Sequence, residues 1–134
     1  MLALDTSALL RYLTNDAPAL AERVEALFDD SVPVGVSSLV LLEAAYALRG
    51  APYLRNNPEI ADALIELLAH RSVVLVDMSA DLASAAIAGV RHLSARHIAD
   101  ALVAAAARQG GATALITNDH RFASELLPVR QLAA

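Results

Sequence analysis

Four acidic residues stand where this sequence otherwise keeps charge out. Asp5 closes the apolar run "LALD", Glu43 is the lone charge in "SSLVLLEAAYAL", Asp100 is the lone charge in "IADALVAAAA", and Asp119 lies just past "TALIT". Elsewhere the chain sorts its charges conventionally. Across residues 18–30, Leu20, Val24, Leu27 and Phe28 share one helical face while Glu22, Glu25, Asp29 and Asp30 share the other, as a solvated amphipathic helix requires. The runs around Glu43 and Asp100 offer no polar face, so both carboxylates are expected to be buried or in a cleft. Two carboxylates about 4 Å apart repel by roughly 4 kcal/mol at an effective dielectric near 20. A cluster of four therefore calls for a cation. Oxygen-only ligands select a hard ion, magnesium or manganese, which keeps waters and shares its ligands with substrate phosphates. The corresponding chemistry is metal-assisted phosphodiester hydrolysis.

The elements that must position these acids can be read from periodicity and punctuation. Residues 2–5 form a short strand leading into a helix from Thr6 to about Leu13. "VPVGV" is a second strand, and Ser37 or Ser38 caps a helix to about Arg49. Residues 58–71 make an amphipathic helix with Ile60, Leu64, Leu67 and Leu68 inward. "SVVLVD" is a third strand, and Ser79 caps a helix to about His92. A last helix spans about Ala95 to Gln109, stopped by Gly110 and Gly111. "TALIT" is a fourth strand and "LPVRQL" a short fifth at the edge. Short apolar strands alternating with helices imply βα units and a mostly parallel sheet covered on both faces, a three-layer α/β domain of four to five strands. Right-handed crossovers gather the C-terminal strand ends at one edge, where such folds place ligands. Asp5 and Asp119 are predicted there.

With 134 residues, the chain fits one domain, residues 1–134. Its hydrophobic fraction of 57% exceeds the roughly 45–50% usual for soluble domains, a surplus that suits a subunit interface. No apolar run approaches the roughly 20 residues of a membrane span, and no signal peptide is visible, so a cytoplasmic location is expected. The absence of cysteine removes disulfides, thiolate nucleophiles and cysteine-held zinc. No HExxH or paired-histidine spacing supports zinc either. A net charge of −5 argues against a broadly basic nucleic-acid surface. Arg11, Arg49, Arg96 and Arg121 are the candidates for local phosphate contacts. Asp77, a fifth strand-end acid, reads as part of a helix-capping turn and is placed outside the site. His97, one helical turn before Asp100, could approach it. Taken singly, each acid is more often a cap or turn residue than a ligand. The shared exception to the polarity pattern is what singles out these four.

"LDTSALLRYL", "SSLVLLEAAYAL" and "HIADALVAAAARQGGATALITNDHRF", in this order and separation, resemble the PIN-domain nucleases, most closely the VapC-type toxin ribonucleases of bacterial toxin–antitoxin pairs. The resemblance covers nearly the whole chain. It implies a PIN-like three-layer α/β/α sandwich whose acidic pocket binds Mg2+, with Mn2+ as a possible substitute, and cuts RNA. By motif position, Asp5, Glu43, Asp100 and Asp119 match the family's four acids in turn, and Ser7 and Thr117 match supporting polar positions that orient carboxylates or waters. Asp5 and Asp100 match the firmest ligands of the first ion. Many relatives carry a further aspartate where Arg121 stands, which puts a second metal ion in doubt. The resemblance also implies a homodimer and a small antitoxin partner.

Rival readings fare worse on particular residues. A haloacid-dehalogenase-type phosphatase wants an aspartate where Ser7 stands and a lysine, and the chain contains no lysine. A phospho-accepting receiver domain fails on the same lysine. A non-catalytic PIN-like binding module would have shed the acids that are present. A PIN nuclease of RNA processing, working without an antitoxin, is left open.

Overall fold

The first three strands each pass into a helix within a few residues, and polar side chains at those junctions accept hydrogen bonds from free helix N–H groups. A computed structural model describes residues 1–30, 32–94, 96–122 and 124–132. Strand β1 (Leu2–Ala3) is followed by α1 (Thr6–Thr14). The Asp5 carboxylate accepts the Ala8 N–H at 2.9 Å and so caps α1, one of the donors that every helix start leaves open. Helix α1 ends on Asn15 in the left-handed conformation, φ 54°, which asparagine tolerates better than most residues. Helix α2 (Pro18–Asp29) opens on proline, whose missing N–H costs nothing there.

Strand β2 (Val34–Val36) leads into α3 (Ser38–Arg49). Ser37 Oγ accepts the Val40 N–H at 3.2 Å, and Asp77 accepts the Ser38 N–H and hydroxyl at 2.9 and 2.8 Å. Asp77 is thus a capping residue, but it caps α3 from the neighbouring strand end and not the helix that follows it, where Ser79 takes that part. Helix α4 (Asn57–Ala69) carries a reciprocal capping box between Asn56 and Glu59. It buries Ile60, Leu64, Leu67 and Leu68, the face expected from periodicity.

Strand β3 (Val73–Leu75) precedes α5 (Ala80–Gly89), capped by Ser79. Helix α5 ends earlier than the expected His92. The buried Asn57 side chain takes up the Val90 and Arg91 carbonyls at 2.7 and 3.1 Å, so those carbonyls need no further helical turn. Helix α6 (Arg96–Gln109) follows; its expected first residue, Ala95, lies outside the described residues. The chain leaves α6 through Gly110 and Gly111, the latter at φ 98°, where a side chain would be strained. Strands β4 (Leu115–Thr117) and β5 (Val129–Gln131) close the chain.

The fold is α/β, and every strand pair among the described residues is parallel, in keeping with the α/β/α arrangement. Leu2 pairs with Val34 and Val34 with Val73 in a ladder ordered β1-β2-β3, while Leu115 pairs with Val129 in a separate β4-β5 ladder. The central strand β2 is buried at all three residues, as a sheet covered on both faces requires. In the edge strand β3, Val73 and Leu75 are buried and Val74 between them, which points to the opposite face, is exposed. Leu9, Leu41, Leu48, Ile60, Leu64 and Ile87 anchor the core. Within α2, Ala21, Val24 and Phe28 are buried while Leu20 is exposed, so the inward face is rotated from the expected one. No helix among the described residues is long and apolar enough to cross a membrane.

Asp16 ties the α1–α2 turn to the loop before α4. Its carboxylate accepts hydrogen bonds from the Tyr53 hydroxyl, Arg11 and the Thr14 hydroxyl at 2.8, 2.9 and 2.9 Å. Led by the Tyr53 bond, these hold its pKa down to about 2. A depressed carboxyl stabilises the fold above its unfolded pKa of about 3.9 and loses that contribution as pH falls through the folded value. Asp16→Asn is therefore expected to lower urea-midpoint stability at pH 7, with the gap from the parent chain closing between pH 4 and 2. A gap constant over that range counts against the assignment.

Candidate active site

Two of the four acids meet at the start of α1. Asp5 is held by its own cap. Besides the Ala8 N–H, its Oδ1 accepts the Ser7 hydroxyl at 3.0 Å. These bonds, the backbone one first, draw the Asp5 carboxyl below its ordinary pKa, since they favour the ionised form. The next residue, Thr6, donates its hydroxyl to Glu43 Oε1 at 3.2 Å and so joins α1 to α3. Glu43 is exposed, not buried. It shares its side of α3 with Leu39 and Tyr46, 65% and 49% exposed, at i−4 and i+3. The apolar run that suggested burial therefore includes a solvent-facing apolar stripe.

The other two acids lie between α6 and the loop after β4. Asp100 is half-buried, and its Oδ2 is a buried oxygen with no hydrogen-bond partner. Burial raises its pKa, against the opposing charges of His97 and Arg96, and the charge of Asp119 adds to the rise. Asp119 is its electrostatic opposite. Its Oδ1 accepts the Arg121 N–H at 2.9 Å, and its Oδ2 pairs with Arg96 at 2.7 Å. The Arg121 N–H, followed by the charges of Arg96 and Arg121, holds this carboxyl down. Thr117 Oγ1 accepts the Asp119 N–H at 2.9 Å and fixes the backbone that carries the acid. His97 bridges the same region, with Nδ1 2.9 Å from Ser94 Oγ and Nε2 3.2 Å from the Arg121 carbonyl oxygen.

The acids thus stand as two pairs, Asp5 with Glu43 through Thr6, and Asp100 with Asp119 as charged neighbours. Helix α3 packs against both α1 and α6 and links the pairs. Among the described residues no group of three or more histidine, aspartate or glutamate side chains is close enough to hold a metal ion. A hard cation nevertheless suits the oxygen-only donors, and Asp100 Oδ2 is the one site atom whose burial without a partner such an ion would relieve. Sequence reasoning missed two partners. Thr6 was hidden by its helix-forming context, and Arg96 was read as a phosphate contact although it pairs with Asp119. Arg11, read the same way, pairs with Asp16 at 2.9 Å.

Among known protein families, the model described as "PIN domain" matches residues 2–124. No curated protein and no solved structure matches the chain.

Because Asp100 has a raised folded pKa, its ionised form costs stability as pH climbs above about 4, the unfolded value. In a chelator-containing buffer, Asp100→Asn is expected to melt above the parent protein at pH 7.5, with the difference vanishing near pH 4. Equal melting temperatures across that range would remove the case for a charged, unpartnered Asp100.

Proposed function

As this chain belongs to the PIN-domain family, a family of nucleases, we propose that it is a magnesium-dependent endoribonuclease and the toxin of a toxin–antitoxin pair. The observation that carries the metal-dependent reading is the buried, unpartnered Oδ2 of Asp100 beside Asp119. Asp100 and Asp5 are the ligands proposed for the ion, and Glu43 and Asp119 complete the acidic set. Asp5 suits that role because its cap and Ser7 lock its orientation, and a ligand with few rotamers to lose binds at less entropic cost. A bound divalent ion acidifies water and stabilises charge developing on a scissile phosphate. No protein nucleophile is needed.

RNA is the proposed substrate. Arg121, with its side chain 76% exposed and only a 3.8 Å contact to Asp119, can meet a backbone phosphate, whereas Arg11 and Arg96 are held in pairs at 2.9 and 2.7 Å. The proposed protein partners, a second copy and a small antitoxin, draw support from exposed apolar side chains such as Met1, Leu2, Leu39, Tyr46 and Val76, which partner surfaces commonly cover. Proposed location is the cytoplasm. A PIN nuclease acting in RNA processing without an antitoxin is separated from the toxin reading by one observation. A small adjoining reading frame, whose product suppresses growth arrest caused by this chain, marks the toxin.

A non-catalytic binding module is the second reading, favoured by the absence of a three-ligand group among the described residues. Cleavage assays separate the two. Asp5→Asn and Asp100→Asn are each expected to lower magnesium-dependent RNA cleavage by about 10²-fold or more, with circular dichroism unchanged, while Glu22→Gln on the exposed face of α2 cleaves normally. Full cleavage by both site variants refutes the site, and no cleavage by the parent chain with Mg2+ or Mn2+ favours the binding module. Magnesium at millimolar concentration is expected to raise the melting temperature of the parent protein by several degrees, as a ligand of the folded state must. A melting temperature indifferent to the ion contradicts the proposal.

A further inference from the structure

The two acids at α6 differ in their partners, and one of the partners is a fixed cation. Asp119 spends both oxygens on donors of this chain: Oδ2 on the Arg96 guanidinium at 2.7 Å and Oδ1 on the Arg121 N–H at 2.9 Å, with Arg121 Nε a further 3.8 Å away. Asp100 leaves a buried oxygen without any partner. Arg96 is the first residue of α6 and Asp100 lies one turn further along, so one helix gives one acid a directly bonded cation and carries the other acid with an oxygen that has no hydrogen-bond partner. Guanidinium is permanently charged and carries its donors in a rigid fork suited to carboxylates. Once so paired, Asp119 has little negative potential left for a second cation.

We propose that Arg96 is the built-in cation of this site, neutralising Asp119 in place of a second divalent ion, so that the chain binds one divalent ion, at Asp100. The inference rests on the metal-dependent reading above. Arg96 acts through Asp119 and is a positioning residue. It also holds the loop after β4 to α6, together with the His97 contact to the Arg121 carbonyl.

The number of ions bound tests this without recourse to activity. Calorimetric titration of the full chain with Mn2+ is expected to show one ion per chain. Asp119→Asn should still bind one ion, while Asp100→Asn should bind none. Arg96→Gln, which unmasks the Asp119 charge, is expected to bind a second Mn2+ or to bind the first on the order of tenfold more tightly, because ligand charge count tunes affinity. Arg96→Lys, which keeps the charge, should behave as the parent and serves as the control if the glutamine variant folds poorly. Two ions in the parent chain, or equal loss of binding in Asp119→Asn and Asp100→Asn, overturns the proposal while leaving a metal-dependent nuclease intact. No Mn2+ bound by the parent chain overturns both.

Discussion

The arrangement depends on the need to satisfy helix N–H groups where strands turn directly into helices. Only two residues separate β1 from α1 and one separates β2 from α3. In so short a space the first-turn donors have no room for ordered backbone partners, and they cost free energy if left open. Asp5 meets that demand for α1, and Ser37 with Asp77 meets it for α3. Strand-end polar residues are therefore structural first. A carboxylate that caps its own helix is also held in one orientation, which is why Asp5 can serve both purposes and Asp77, turned fully to Ser38, serves one.

The same economy governs the second pair. Helix α6 is alanine-rich and packs closely on α3 and α5, burying Ile98, Ala101, Leu102, Ala104 and Ala105. Small side chains let it approach, and Asp100 is carried partly inward with them. Burial without a partner disfavours its ionised form. Asp119, on a loop at the end of β4, is free to gather donors from both the loop and α6. The result is one acid raised and one lowered within a single neighbourhood, a pattern that marks functional sites more often than surface charge pairs.

Glu43 shows what polarity patterning confuses. An unbroken apolar run reads as burial, yet Leu39 and Tyr46 are exposed alongside Glu43. The run encodes two faces, an inner one of Leu41, Ala44, Ala45 and Leu48 and an outer apolar one. Arg49 lies 5.1 Å from the centre of the Tyr46 ring, so even the outer face is organised. Composition records that a residue is apolar and is silent on whether protein or solvent faces it. Only packing separates the cases.

Sequence by itself determined the order of strands and helices, the capping roles of Ser37 and Ser79, the inward face of α4, and the family to which the motifs belong. Each of these rests on local chemistry: periodicity, φ preference and side chains that reach their own helix end. Strand lengths, the early end of α5, the outward face of Glu43 and the pairing of Arg96 with Asp119 were decided by tertiary structure. Those depend on partners distant in the chain, Asn57 for the Val90 carbonyl and residue 119 for residue 96. A carboxylate's charge state is set by the donors that folding brings to it, and no local pattern around Asp100 or Asp119 records which of the two will be left without one.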